Sequence, residues 1–195
     1  MKASSLRILG IDPGINHTGW SVGSFDSVSD KLSVSMFDEI QAHNLAKKEL
    51  KKDFREYGSL VSLTLYEREF EALLDHYDPD YVASEDAFYN PRTPNAYLSL
   101  KLCIHTIQRV LYRRSKRLYL IAPTVAKQAV WGKGTANKLA IQESIQTLPD
   151  ITIRSTKLRP IDEMEEHEAD SIAIMYAFTK VVLPDLLMQE KKKEK

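Results

Sequence analysis

The chain has 195 residues, a formal net charge of zero and a single cysteine. This length suits one domain with one sizeable hydrophobic core. The balanced charge excludes binding to nucleic acid through overall charge alone, because phosphate contacts require lysine and arginine, although an acidic active site can offset a basic surface. Cys103 has no partner for an internal disulfide, so we expect a reduced, intracellular setting. Neither a signal peptide nor a membrane span is expected.

The first part of the chain predicts three sequential antiparallel strands. The first, at 6–11, is a run rich in Ile and Leu that ends at Asp-Pro-Gly, which is typical of a buried strand followed by a turn. Strands at 19–25 and 32–37 follow, and the sequence SFDSVSDK between them supplies residues typical of a hairpin turn.

The rest of the chain alternates helix and strand. Apolar spacing and breaker residues predict helices at 42–57 (in part), 60–76, 95–112, 124–131, 138–147 and 162–178, and strands at 81–84 and 118–121. The pattern therefore predicts an α/β domain with a mixed five-stranded sheet flanked by helices. We expect one domain over 1–188 and a charged, disordered tail over 189–195.

Four side chains capable of catalysis stand out by their location in these elements. Asp12 ends the first strand and Glu85 ends the strand after the long helix, while His167 and Asp170 share one face of the last helix at spacing i, i+3. Taken singly, these residues are more typical of a turn, a solvated acid or a packed histidine. Their joint order along the chain is what indicates a site.

A cluster of carboxylates of this kind favours a metal ion. Carboxylates held together raise one another's pKa unless a cation lies between them, and Mg²⁺ prefers oxygen ligands. Two such ions about 4 Å apart are a common arrangement for cleaving phosphodiesters. The sequence therefore suggests a hydrolase that acts on a phosphodiester.

Four segments, in this order, resemble one known family. They are ILGIDPGINHTGWSV, DYVASEDAFYN, APTVAKQAVWGKGTANKLAIQ and HEADSIAIMYAF. The chain resembles the RuvC family of Holliday-junction resolvases, which have the RNase H-like fold. The segment 23–57 and the sequence YNPRTPNAY depart from the family pattern, and these features suit a divergent or phage-type member.

The resemblance implies a role for each matching residue. Asp12, Glu85, His167 and Asp170 would hold two divalent ions, Mg²⁺ or Mn²⁺, with Glu166 an alternative to His167. The imidazole of His167 favours Mn²⁺, because imidazole is a softer ligand than a carboxylate. Lys138 would offset charge on the phosphate, which completes the catalytic set.

Several residues are expected to contact DNA. Phe88 matches the family's aromatic at the junction centre, and the adjacent Tyr89 is an alternative. The basic third segment adds Lys127 and Lys133. The densest basic cluster, RRSKR, adds Arg113, Arg114 and Lys116, although a solvated helix end is the more common explanation for such a cluster.

The resemblance also implies a partner and a place. Paired cuts in a symmetric four-way junction require two active sites, so a homodimer is expected, with the helix at 95–112 as its candidate interface. No membrane and no nucleotide cofactor are expected, and the location would be cytoplasmic, or the host cytoplasm for a phage-encoded protein. The alternatives are a nuclease of the same fold acting on other branched DNA, an actin-like or sugar-kinase-like ATPase, and a non-catalytic junction-binding protein.

Overall fold

A six-stranded mixed sheet is the centre of the fold. The computed structural model describes residues 5–92, 94–132, 138–154 and 163–193. The strands are β1 (Ser5–Asp12), β2 (Thr18–Asp26), β3 (Lys31–Ile40), β4 (Tyr81–Glu85), β5 (Leu118–Ile121) and β6 (Ile151–Ile153). Their order across the sheet is β5-β4-β1-β2-β3-β6. The predicted antiparallel pairing of β1 with β2 and of β2 with β3 is confirmed, and β4, β5 and β6 join as parallel strands.

The prediction of five strands missed β6. This strand has only three residues and pairs with Leu32, Ser33 and Val34 of β3. Two further backbone hydrogen bonds flank the pairing, from Leu32 N to Asp150 O at 2.9 Å and from Arg154 N to Val34 O at 3.0 Å. A segment of three residues is too short to show an alternation of apolar and polar residues. Its position depends on pairing with the neighbouring strand.

Helices cover both faces of the sheet. They are α1 (Ala42–Leu50), α2 (Phe54–Tyr77), α3 (Pro94–Arg113), α4 (Pro123–Trp131), α5 (Lys138–Thr147), α6 (Glu166–Ala177) and α7 (Leu183–Lys193), with a π-helical turn at Phe178–Val182. Alternate residues of β1 belong to different core clusters: Ile8 packs with α4, α5 and α6, whereas Leu9 and Ile11 pack with α1, α2 and α3.

The last core helix begins later than 162, the predicted start. A capping box fixes the start of α6, because Glu165 N donates to Glu168 Oε2 at 2.7 Å and the Glu165 side chain accepts from the Glu168 backbone. Glu168 is fully buried, so part of the acidic run serves to cap the helix. At the other end, α7 reaches Lys193, and residues 189–193, expected in a disordered tail, are helical.

The stretch Glu166–Lys192 is long and apolar enough to cross a membrane, judged by length and composition alone. More than half of its most apolar window, 56%, is buried within the fold. All residues of α6 from Ser171 to Ala177 are buried, between the sheet on one side and α4 and α5 on the other. Packing in the protein core therefore accounts for the high hydropathy of this helix.

Helix α6 lies so close to the sheet that it requires glycine on the strands. A Cβ atom on Gly10 would collide with the backbone oxygen of Ser171, and one on Gly19 would collide with the backbone of His167. On Gly23 a Cβ would lie 2.9 Å from Ser33 O and 3.2 Å from Met175 Sδ. These three glycines therefore set the distance between α6 and the two central strands.

We expect Gly10→Ala to destabilise the fold by about 2–4 kcal/mol, because the new methyl group must push α6 away from β1. Urea unfolding monitored by circular dichroism measures this change. Gly132→Asn is the matched control, since Gly132 has a φ of 76° and no atom within 4 Å of its Cβ position. Asn tolerates that conformation, so the control should lose at most about 1 kcal/mol. Equal losses in the two variants would contradict the steric explanation.

Candidate active site

Two acidic side chains lie at the same edge of the sheet. Strands β1 and β4 are parallel neighbours, paired as far as Ile11 with Ser84, so Asp12 and Glu85 follow side by side. Burial raises the pKa of Glu85 to about 8, and the nearby charges of Asp12 and Asp170 add to the increase. The topology thus produces the juxtaposition that the sequence order predicts.

His167 reaches this edge from the first turn of α6. Its Nδ1 lies 2.6 Å from Asp12 Oδ2, and this hydrogen bond is the main reason that the pKa of His167 rises to about 9. Burial raises the pKa of Asp12, while the contact with His167 opposes that increase. The protonated imidazole therefore supplies a positive charge beside a buried carboxylate.

Asp170 follows one turn later on the same face of α6. Burial raises its pKa to about 7, with further increases from the charges of Asp12 and Glu166. Glu166 also raises the pKa of Asp12 and of His167, so it lies within electrostatic reach of both. The four predicted site residues and the alternative Glu166 are thus brought to one place.

One lysine from a neighbouring helix faces this acidic group. The charge of Lys127, on α4, lowers the pKa of both Glu85 and Asp170. Helices α4 and α6 pack against each other, which holds this lysine near the carboxylates. The sequence predicts a DNA contact for Lys127, and in the structure its charge lies within electrostatic reach of Glu85 and Asp170.

The sequence analysis missed two residues beside the site. His17, on the turn after Asp12, stacks on His167 with ring centroids 5.8 Å apart and planes 7° from parallel. Glu39, on β3, accepts a hydrogen bond from His17 Nδ1 at 3.0 Å and lies near Asp12 and His167. The antiparallel pairing of Gly19 with Glu39 brings the carboxylate there, a register that sequence reading does not give.

The turn after β1 is held by its own threonine. Thr18 Oγ1 accepts a hydrogen bond from Gly14 N at 3.1 Å and donates one to Gly14 O. This pair of bonds closes the turn so that the chain reverses directly beyond Asp12. An open cleft of about 480 Å³ lies next to this turn, on the His167 side of the site. Its lining residues are His17, Asp38, Glu39, Gln41, Glu165, Glu166 and His167.

The donor set fits a divalent cation in its chemistry. Among the described residues, no three Asp, Glu, His or Cys side chains lie close enough together to form a ready metal site, and His167 is hydrogen-bonded to Asp12. The side chains of Asp12, Glu85 and Asp170 are nevertheless largely buried and repel one another, as their raised pKa values indicate. Oxygen donors under such repulsion are those that a hard cation stabilises.

The loop after Glu85 carries two exposed aromatic rings. Phe88 is 73% exposed and Tyr89 is 55% exposed, so neither is a core residue. The two rings follow Glu85 by three and four residues, so two exposed aromatic side chains lie close in sequence to the site.

The basic cluster at the end of α3 is engaged elsewhere. Arg113 Nη2 lies 2.6 Å from carboxylate oxygens of both Glu67 and Glu71, and Arg114 bonds to Asp75. Lys116 Nζ lies 2.9 Å from Asp78 Oδ1. These pairs join the C-terminal ends of α2 and α3, at the end of the sheet opposite Glu85. Lys133 and the side chain of Lys138 lie outside the described residues.

Comparisons with known proteins agree with this geometry. The family model for the crossover junction endodeoxyribonuclease RuvC matches residues 8–178. The chain belongs to the RuvC family. Two relatives of the same name come from Alkaliphilus oremlandii, 28% identical over 88% of this chain and 93% of the relative, and from Alkaliphilus metalliredigens, 30% identical over 72% and 77%.

The fold of a solved RuvC is also similar. The RuvC structure from Thermus thermophilus matches with a TM-score of 0.64 and 20% identity, over 88% of this chain and 92% of that one. A second structure, of the Thermus thermophilus protein in complex with Holliday junction substrate, matches equally well at 19% identity. The predicted RNase H-like fold and the predicted class, an endodeoxyribonuclease of the RuvC family, are therefore confirmed.

We expect Glu85→Gln to stabilise the metal-free protein at pH 7–8, because the folded pKa of about 8 lies above the usual 4.5. Between these values only the unfolded state loses the proton, so wild-type stability falls as pH rises through this window. Glutamine has no proton to lose, so the free energy of unfolding of the variant should exceed that of the wild type by on the order of 1–2 kcal/mol at pH 7.5.

Chemical denaturation in EDTA at pH 4 and pH 7.5 measures this difference. The gain should largely disappear at pH 4, where Glu85 is protonated in the folded state and mostly protonated in the unfolded state. Glu49→Gln, at an exposed position on α1, is the matched control and should change stability little at either pH. A gain in Glu85→Gln that is the same at both pH values would contradict the ionisation argument.

Proposed function

We propose that this protein resolves four-way DNA junctions by cutting two strands symmetrically, as a divalent-cation-dependent endonuclease. The observation that carries the proposal is the meeting of Asp12 and Glu85, on neighbouring strands, with His167 and Asp170 of α6. Membership of the RuvC family supports the reaction type. The name of the relatives, crossover junction endodeoxyribonuclease, and the Thermus thermophilus complex with Holliday junction substrate support the substrate.

The acidic residues would hold the cations. We assign Asp12, Glu85, His167 and Asp170 to two ions, Mg²⁺ or Mn²⁺, with Glu166 beside them. Such ions, when bound, activate water and stabilise the charge that develops on the phosphate. His167 must lose its proton and release Asp12 in order to serve as a ligand, because only a neutral imidazole donates a lone pair. With this imidazole among its ligands, the site should prefer Mn²⁺ more than an all-carboxylate site would.

The neighbouring basic and aromatic residues would bind the DNA. Lys127 is supported by its reach to Glu85 and Asp170, and Lys138, at the start of α5, is assigned to the phosphate by the family resemblance. Phe88 and Tyr89 are accessible beside the site, and Lys133 follows from the resemblance. Arg113, Arg114 and Lys116 are bonded to carboxylates of the protein, so we do not place them in the DNA contact.

The bacterial relatives support a setting for the reaction. We propose that it takes place in the cytoplasm of a bacterial cell, or of the host for a phage-encoded member, without a nucleotide cofactor. We place the nuclease domain at 1–188, which contains the whole family match at 8–178.

We expect Asp12→Asn to abolish cleavage, by at least about a hundredfold, while leaving junction binding within a few fold, because the substitution removes a charge but not the shape of the site. A mobile four-way junction with Mg²⁺, Mn²⁺ or EDTA tests this. Wild type should give paired, symmetric nicks with either ion and none in EDTA. Asp53→Asn, an exposed acid at the start of α2, is the matched control and should cut normally.

Two outcomes would contradict the proposal. Normal cleavage by Asp12→Asn would remove Asp12 from the active site. Equal cleavage of flaps, RNA–DNA hybrids and junctions would replace junction resolution by a broader nuclease activity of the same fold.

We propose a homodimer formed through α3. Leu98 and Leu102, one turn apart on this helix, are both exposed, and Leu60 on α2 adds a third exposed leucine. Exposed apolar side chains that repeat on one helix face are typical of an interface. Two active sites related by a twofold axis would match the symmetry of a four-way junction.

We expect the double variant Leu98→Asp, Leu102→Asp to be monomeric, because association would bury two unpaired charges. Light scattering measures the mass, and the junction products should change from paired cuts to single nicks. Val28→Asp, at an 84% exposed turn position, is the control and should remain dimeric. A double variant that stays dimeric would exclude this face as the interface.

A further inference from the structure

Helix α2 runs alongside β1 and passes the active site near its middle. Arg7, near the start of β1, donates a hydrogen bond from its side chain to Tyr77 O at the end of α2. Burial raises the pKa of Tyr66 and the charge of Asp12 adds to the increase, so these two residues lie near each other. The helix from Tyr66 to Tyr77 and the strand from Arg7 to Asp12 have the same length, about 17 Å. Tyr66 therefore marks the level of Asp12 on α2.

The first half of α2 extends beyond the edge of the sheet that carries the active site. Helix α2 begins at Phe54, and the helix from Phe54 to Tyr66 is about 18 Å long. Helix α1 follows β3 closely and packs against α2. The connection between the two helices, at Lys51–Asp53, therefore stands about 18 Å beyond Asp12, on the active-site side of the molecule.

Four exposed lysines cluster at this connection. Lys47 and Lys48 lie in the last turn of α1, and Lys51 and Lys52 lie in the short 3₁₀ turn that follows. Among the described residues, none of these four side chains forms an ion pair or a hydrogen bond. We call these four residues the basic tip.

The basic tip has an excess of positive charge. The sequence from 47 to 56 contains four lysines and one arginine, against the three acids Glu49, Asp53 and Glu56. The basic cluster at the end of α3 differs, because its side chains are bonded to carboxylates of the protein. Exposed ammonium groups without a carboxylate partner are suited to neutralise phosphates. The tip also lies within the segment 23–57, which departs from the family pattern.

We propose that the basic tip binds the phosphates of one duplex arm of the junction, about half a helical turn from the cleaved phosphate. This contact rests on the proposed function and deepens it. One turn of B-DNA is about 34 Å long and contains about 10 base pairs, so a distance of about 18 Å corresponds to about five base pairs. Phosphate contacts fix the orientation of a duplex and carry no sequence information. The tip would therefore set the direction in which the arm leaves the site.

The salt dependence of binding tests this contact. The full-length protein with Asp12→Asn binds a four-way junction over a series of salt concentrations. Adding Lys47→Gln with Lys48→Gln, or Lys51→Gln with Lys52→Gln, should lower the slope of log affinity against log salt by about 1–2, since each lost phosphate contact removes about 0.9. Each pair should weaken affinity about three- to tenfold at physiological salt, equally for arms of different sequence.

Two further pairs are the controls. Lys51→Arg with Lys52→Arg retains the charge and should behave like its parent. Lys191→Gln with Lys192→Gln removes two exposed lysines of α7, which follows the end of α6 remote from the site, and should leave the slope and the affinity unchanged.

Uncharged phosphates locate the contact on the DNA. Methylphosphonate, which has no charge, replaces one phosphate at a time along each arm. Affinity of the Asp12→Asn parent should fall for replacements about five base pairs from the cut. In the protein that carries all four lysine-to-glutamine changes, the same replacements should have no further effect, because the interacting charges are already absent.

Each opposite result overturns the inference. An unchanged salt slope in both glutamine pairs would remove the basic tip from the DNA contact. Weaker binding with an unchanged slope, or with a change of oligomeric mass, would assign the lysines a structural role. Replacements that weaken the parent and the fourfold variant equally would place the contact on other residues. Failure of the proposed function is distinguishable, because the wild-type protein would then leave four-way junctions uncut, whatever these variants do.

Discussion

The contact on which the rest of the structure depends is the one between the backbone of α6 and the glycine face of β1 and β2. Gly10 and Gly19 leave no room for a side chain between strand and helix. The same contact that completes the core therefore brings the first turn of α6 against the end of β1, where His167 meets Asp12. Core packing and site geometry are two results of one constraint, so a change in the core at these glycines is also a change in the site.

The site that results is electrostatically costly. Asp12, Glu85 and Asp170 are largely buried and their charges oppose one another. Only part of this repulsion is offset within the protein, by the imidazolium of His167 and the ammonium of Lys127. A fold can keep such a group when the surrounding core is stable enough, and the retained repulsion then favours a cation over an empty site. The stability lost at this edge of the sheet is thus a property that binding requires.

Much of the fold and the centre of the site could be predicted from local signals. Asp12 and Glu85 follow clear strand patterns, and His167 and Asp170 follow a helix pattern, so their meeting required only the topology of a mixed sheet. What escaped prediction depends on pairing between distant segments. The strand β6 exists because β3 offers an edge to it, and Glu39 reaches the site only through its register with Gly19. The carboxylates that engage Arg113 belong to Glu67 and Glu71 on another helix, 46 and 42 residues earlier in the chain, and no local pattern reveals them.

These ion pairs also show why the net charge of the whole chain says little about any one part of its surface. The positive charges of Arg113, Arg114 and Lys116 are neutralised at the end of the sheet opposite Glu85, where they join α2 to α3. The charge balance of the whole chain is therefore uninformative about the surface that surrounds the site.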